Sequence, residues 1–112
     1  TGKRAAGITE KKLARQAAEN SLADARDGLL VQHKQLRYNL SSAYEDFDTQ
    51  KMNIDVSQRV FESTSNKFEY GHASSLELTN ASMTLLTAQS DYIQSILNLV
   101  NAQIELKKLL NK

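Results

Sequence analysis

Apolar residues recur with helical spacing through most of the chain. Leu22, Leu29 and Leu36 stand seven apart, and Leu40, Phe47, Ile54, Phe61 and Phe68 continue at the same interval. The step of four between Leu36 and Leu40 reads as a stutter, an interruption that locally relaxes a coiled-coil supercoil. Charges of both signs fill the other faces, as on a solvated helix. The pattern predicts one helix over about residues 4 to 69, roughly 95 Å long at 1.5 Å per residue. Gly28 lies inside it at a cost of about 1 kcal/mol relative to alanine, which so long a helix absorbs.

The helix is expected to stop at Gly71, because glycine reaches the left-handed conformation without a Cβ clash. Ser74 and Glu77 then form a Ser-x-x-Glu capping box: the hydroxyl accepts the Glu77 amide, and the carboxylate reaches back to the Ser74 amide. A connection this short forces an antiparallel hairpin.

The second helix is expected over about residues 75 to 110. Leu78, Leu85, Tyr92, Leu99 and Leu106 form one heptad row, with Ala81, Ala88, Ala102 and Leu109 as its companion, broken by Ser95. Further apolar residues fill three more heptad positions: Leu86, Ile93 and Val100; Ile96 and Leu110; Met83, Leu97 and Ile104. The apolar arc covers over half the circumference, more than one partner helix covers. What remains is a narrow, mostly uncharged strip that includes Glu77, Asn80, Thr84, Thr87, Asp91, Gln94, Asn98 and Asn101. Such a helix calls for neighbours on two sides and water along one edge.

Folding about the turn pairs the second helix with roughly residues 31 to 69. Some 27 residues of the first helix, about 40 Å, then overhang. Leu13, Leu22, Leu29 and the alanines at 14, 17, 18 and 25 have no partner within the chain. A two-helix hairpin with a bare end buries too little surface to be comfortable alone, so self-association is expected.

Composition narrows the function. The 112 residues suit a single domain, and 14 Lys plus Arg against 13 Asp plus Glu leave a net charge of +1. That near-balance argues against nucleic acid as a partner, which needs a basic excess. Cysteine and proline are absent, so there is no disulfide framework or thiolate chemistry. No apolar run is long enough for a membrane-spanning helix, and the opening "TGKRAAGITEKK" has no signal-peptide core. It also lacks an initiating methionine, which suggests a piece of something longer. His33 and His72 lie far apart, with no further ligands at regular spacing, so no metal site is expected. Glu45, Asp46 and Asp48 lie on a charge-rich exposed stretch, and no nucleophile, base and orienter combination exists. Neither an enzyme nor a cofactor site is predicted. Phe47, Phe61, Phe68 and Tyr92 read as packing, and Lys107 and Lys108 as complements to a helix C-terminal dipole.

The run "FEYGHASSLELTNASMTLLTAQSDYIQSILNLVNAQIEL" carries a resemblance. Phe68, Gly71, Ser74, Glu77, Leu78 and Ala81 stand at the positions of the pattern F-x-x-G-x-x-[ST]-x-x-[DE]-[VL]-L-x-A of the TolC-like outer-membrane efflux proteins, with Thr79 where the pattern has its leucine. Ala88-Gln89, Tyr92, Ala102 and Leu106 follow as in that family. The opening "TGKRAAGITEKKLARQAAENSLADAR" is similar to the family's helix start after its last barrel strand. The resemblance implies an all-α fragment, residues 1–112: a long antiparallel two-helix coiled-coil hairpin that is part of a trimeric α-barrel in the parent protein. It implies a periplasmic segment of a bacterial outer-membrane efflux or secretion channel, touching the membrane only through β-strands that this chain lacks. Tyr70, Gly71, His72, Ala73 and Ser74 would form the tip that docks a periplasmic adaptor of an inner-membrane pump. Glu77 and Asn80 would lie near an iris-like constriction. Asn80 stands where an aspartate often sits, and Ala73 where an arginine can lock the gate, so a salt-bridged lock is not implied.

A soluble coiled-coil binding module, such as an adaptor hairpin or a scaffold, is the alternative. It calls for a narrower seam and charged outer faces than the second helix has.

Overall fold

The computed structural model describes residues 2 to 111. It contains two helices, α1 (Gly2–Glu69) and α2 (Ser75–Leu110), and no strand among the described residues. α1 begins two residues before the expected Arg4. Its first turn holds no residue that a helix excludes, and no proline interrupts it.

Residues 2 to 35 form a stretch of α1 that packs on nothing of its own. Every residue from 8 to 32 is exposed, Leu13, Leu22 and Leu29 among them. Residues 36 to 111 form the hairpin, and all tertiary packing described here lies within it.

In the hairpin, the α1 residues withdrawn from solvent are Leu36, Leu40, Ala43, Phe47, Gln50, Ile54, Ser57, Phe61 and Thr64, with Gln58 and Ser65 beside them. Their spacing alternates four and three without a break, so the stutter read between Leu36 and Leu40 is not one. Leu36 belongs to the row of Ala43, Gln50, Ser57 and Thr64, while Leu40 begins the row of Phe47, Ile54 and Phe61. What changes at this point is the row that carries the large side chains, not the seam. Phe68 is also corrected: it is 42% exposed, at the end of its row, and packs less than Phe47 or Phe61.

α2 answers with the same alternation. Leu78, Tyr92 and Leu106 are half-buried and Leu85 and Leu99 buried; between them stand Ala81, Ala88 and Ser95, all buried. Each helix thus sets a row of large side chains beside a row of mostly small ones, Leu36 and Gln50 excepted, and large against small is what lets two helices close tightly. Phe47 and Tyr92 meet edge to face with ring centroids 5.5 Å apart, a geometry worth about 0.5–1.5 kcal/mol beyond burial. Gln103 Nε2 donates to the Tyr44 hydroxyl at 3.0 Å across the two helices.

Ser95 does not break the small row; it is the most deeply buried residue described, 1% exposed. Its hydroxyl donates to the Tyr92 carbonyl at 2.6 Å, so the polar atom is satisfied inside its own helix. With that bond made, serine serves as a small packing residue.

Candidate functional site

The turn is closed from both ends by local hydrogen bonds. The His72 N–H donates to the Lys67 carbonyl at 2.7 Å and the Gly71 N–H to the Phe68 carbonyl at 3.0 Å. These are the paired six-to-one and five-to-two bonds of a Schellman motif, which takes up carbonyls that the helix end leaves open. Gly71 sits at φ +76°, the one positive φ among the described residues.

Three residues on, the capping box is complete. The Glu77 N–H donates to Ser74 Oγ at 3.0 Å, and the Ser74 N–H donates to Glu77 Oε2 at 2.9 Å. Ser74 has the extended backbone of an N-cap, φ −80° and ψ 161°. Glu77 also places a negative charge at the positive end of the α2 dipole. Of the five tip residues, Tyr70 is 77% exposed, and Gly71, His72 and Ser74 are exposed as well, whereas Ala73 is half-buried. Ser74 is committed to the cap. The exposed side chains of the tip are therefore chiefly Tyr70 and His72, on a backbone fixed by Gly71 and Ser74.

From the turn, one edge of the hairpin is a groove between the helices. Near the turn Glu77, Asn80 and Thr84 of α2 face Val56, Val60 and Thr64 of α1. Farther along, Thr87 and Asp91 face Gln50 and Asn53, and then Asn98 faces Asn39, Ser42 and Asp46. The structure thus brings Glu77 and Asn80 together at the start of this groove. Glu77 remains exposed while it caps the helix, so one carboxylate serves the turn without leaving solvent. Gln94 Nε2 donates to Asn98 Oδ1 at 3.0 Å along the same strip.

Sequence reasoning found the α2 side of this edge and missed the α1 side. Asn39, Asp46 and Asn53 recur every seven residues, a signal that the larger Leu and Phe rows obscure. The other edge has a different character: Lys51, Asp55 and Gln58 flank Tyr92. Arg59 pairs with Asp55 at 2.9 Å, and Gln58 donates to Glu62 at 3.0 Å.

On the side of α2 away from α1, apolar residues stay uncovered. Met83, Leu86, Ile93, Leu97, Val100 and Ile104 are all between 43% and 66% exposed. Their steps are the threes, fours and sevens of a second heptad seam, with Ser90 in the gap. At about 100° per residue, this seam lies some 150° around α2 from the first. No group of three or more His, Asp or Glu able to hold a metal exists among the described residues.

The model of the outer membrane efflux protein family matches residues 1–112, the whole chain. The chain belongs to the outer membrane efflux protein family. Comparison with curated proteins gives no match, and comparison with solved structures gives none either. The membership agrees with the resemblance carried by Phe68, Gly71, Ser74, Glu77, Leu78 and Ala81. It also places the hairpin in a family of outer-membrane channel proteins rather than enzymes. No described helix of this efflux protein is long and apolar enough to cross a membrane.

Proposed function

We infer that this hairpin is a periplasmic tunnel segment of a trimeric outer-membrane efflux channel, cut from a longer chain. α2 stands between two helical neighbours, α1 on its first seam and a helix of an adjoining hairpin on its second. The edge carrying Asn80, Thr84, Thr87, Asp91 and Asn98 faces the tunnel. The carrying observation is the division of α2 into two nearly opposed apolar seams with a mostly uncharged polar strip on one side between them. A free-standing two-helix module has no use for the second seam, whereas a closed ring of helices gives every helix two neighbours.

The turn docks the adaptor of an inner-membrane pump, with Tyr70 and His72 as its exposed groups. Gly71, Ala73 and Ser74 give the tip its shape. Glu77 and Asn80 lie near the constriction, which widens as α2 shifts against its neighbours. Ala73 supplies no cation to lock the gate. Of these two residues Glu77 alone is charged, so cation preference there is weaker than two carboxylate rings would give.

This segment has no cysteine of its own, so single cysteines placed in it report cleanly in a full-length channel from which any other cysteine has been removed. A bulky maleimide on Thr87→Cys or Asn98→Cys should lower single-channel conductance in planar bilayers, while the same label on Gln58→Cys should not. Unchanged conductance with the polar-edge labels would overturn the assignment of that edge to the tunnel.

A further inference from the structure

The first part of α1 carries a charge pattern that neither the hairpin nor a tunnel wall requires. Lys3, Arg4, Lys11, Lys12 and Arg15 stand there against one carboxylate, Glu10, and all six are exposed. The ion pairs found among the described residues, Arg59–Asp55 and Lys108–Glu105, include none of them. The net charge of +1 over the whole chain conceals this local excess.

Helix electrostatics oppose the arrangement. The first turn of α1 has no acidic residue and instead holds Lys3 and Arg4, where the exposed N–H groups favour anions. Lys11 with Arg15, and Lys12 with Arg15, are like charges at neighbouring helical positions, each unfavourable. Glu10 relieves none of this, because Ala6, Gly7, Leu13 and Ala14 occupy its helical neighbour positions, and the one carboxylate at a neighbour position of the cluster is Glu19, four residues after Arg15.

Four of the five cations are also sorted onto one side, and Lys3 lies on the face of Glu10. Arg4, Ile8, Lys11, Lys12 and Arg15 fall within an arc of about 100°, with Glu10 on the other side of the helix. This arc continues the heptad face that bears Ala18, Leu22, Ala25 and Leu29. From Ala18 onward the face has the small and large apolar residues that suit a helical partner. From Arg15 back to Arg4 it has cations around a single isoleucine. Charges in a helix–helix seam would be desolvated without compensation, so the chemistry of the partner must change between Arg15 and Ala18.

We propose that residues 4 to 15 lie against an anionic phospholipid headgroup surface. Arg4, Lys11, Lys12 and Arg15 contact phosphates, and Ile8 (63% exposed) sits among the headgroups. The stripe is about 16 Å long, long enough to span several headgroups. Choosing lipid over other polyanions rests on membership of an outer-membrane family, and not on the tunnel reading.

The test is co-sedimentation of the purified 112-residue chain with vesicles of phosphatidylglycerol and phosphatidylethanolamine. Binding should weaken at least about tenfold when phosphatidylcholine replaces phosphatidylglycerol, and again on raising salt. A variant with Arg4, Lys11, Lys12 and Arg15 all changed to Gln should lose binding by a similar factor at unchanged helicity. Lys107→Gln with Lys108→Gln should bind as the parent does. Absence of binding to the anionic vesicles, or binding indifferent to lipid charge and to the four substitutions, overturns the proposal. So does equal affinity for double-stranded DNA, which would assign the stripe to polyanions at large. None of these outcomes depends on trimer assembly, so a failure here leaves the tunnel reading standing.

Discussion

Gly71 offers a perturbation whose energy can be worked out before it is measured. A Cβ built there meets no atom within 4 Å, yet the residue sits at φ +76°. A substitution therefore pays no steric penalty against neighbours, and its cost is that of the left-handed backbone alone. For alanine this is about 1–2 kcal/mol. Asparagine tolerates the region through local hydrogen bonding and should cost less than about 1 kcal/mol. Valine, β-branched, should cost more than alanine, on the order of 3 kcal/mol once strain loosens the two Schellman bonds. The assay is urea unfolding followed by far-ultraviolet circular dichroism, with every variant compared at the same chain concentration. The expected order of stability is Gly, then Asn, Ala and Val. Equal costs for Asn and Ala, or Val no worse than Ala, would refute the claim that the turn is held by a positive φ. In the full-length channel, Gly71→Val should also abolish adaptor binding and efflux. If both survive, the tip has been misassigned.

Other predictions follow from the packing. Ser74→Ala removes the N-cap and should cost about 1 kcal/mol in thermal unfolding. Ser95→Ala should stay within about 0.5 kcal/mol of the parent, since the hydroxyl bonds only to its own helix. Ser95→Leu should cost about 1–3 kcal/mol by overfilling the small row, measured in the same melts. Leu99→Lys and Leu97→Lys separate the two seams of α2, because the residues are 9% and 52% exposed in the hairpin. The first should unfold the hairpin by burying an unpaired charge, at several kcal/mol. The second should leave circular dichroism intact and prevent trimers of the full-length protein on a non-denaturing gel.

Much of the hairpin is legible because its determinants are local. Gly71 and the Ser74–Glu77 box are single-residue signals, and the structure forms both the Schellman bonds and the capping box they specify. The α2 rows were readable because large and small residues keep to separate heptad positions throughout. α1 was misread where that separation fails. Leu22, Leu29 and Leu36 mark one row and Leu40 to Phe68 the other, so following size alone finds a stutter where burial shows continuity. Ser95 was misread for a related reason: polarity suggested an interruption, while the seam there responds to volume. The polar edge was half legible, since Asn39, Asp46 and Asn53 become an edge only when α2 lies beside them.

The imbalance between the helices ties these features together. Only five residues of the hairpin are buried, all of them on α2, and none on α1. A core this thin cannot by itself offset the entropy of ordering so many residues. Yet the turn is secured by four local hydrogen bonds, and both seams keep strict heptad spacing. Strong local determinants joined to a small internal core describe an element whose shape is set in advance and whose stability is completed by neighbours. On the proposed tunnel reading the second seam of α2 supplies apolar surface for that purpose, while the polar edge beside it carries Val56, Val60, Met83 and Tyr38 as its large groups. A helix needed only to pair with α1 would carry one seam and solvated charges elsewhere, as α1 does near Asp55 and Arg59. α2 instead reserves its charges for the turn, for Asp91, and for its final turns at Glu105, Lys107 and Lys108. That distribution is what a helix needs when it has protein on two sides and water on a third.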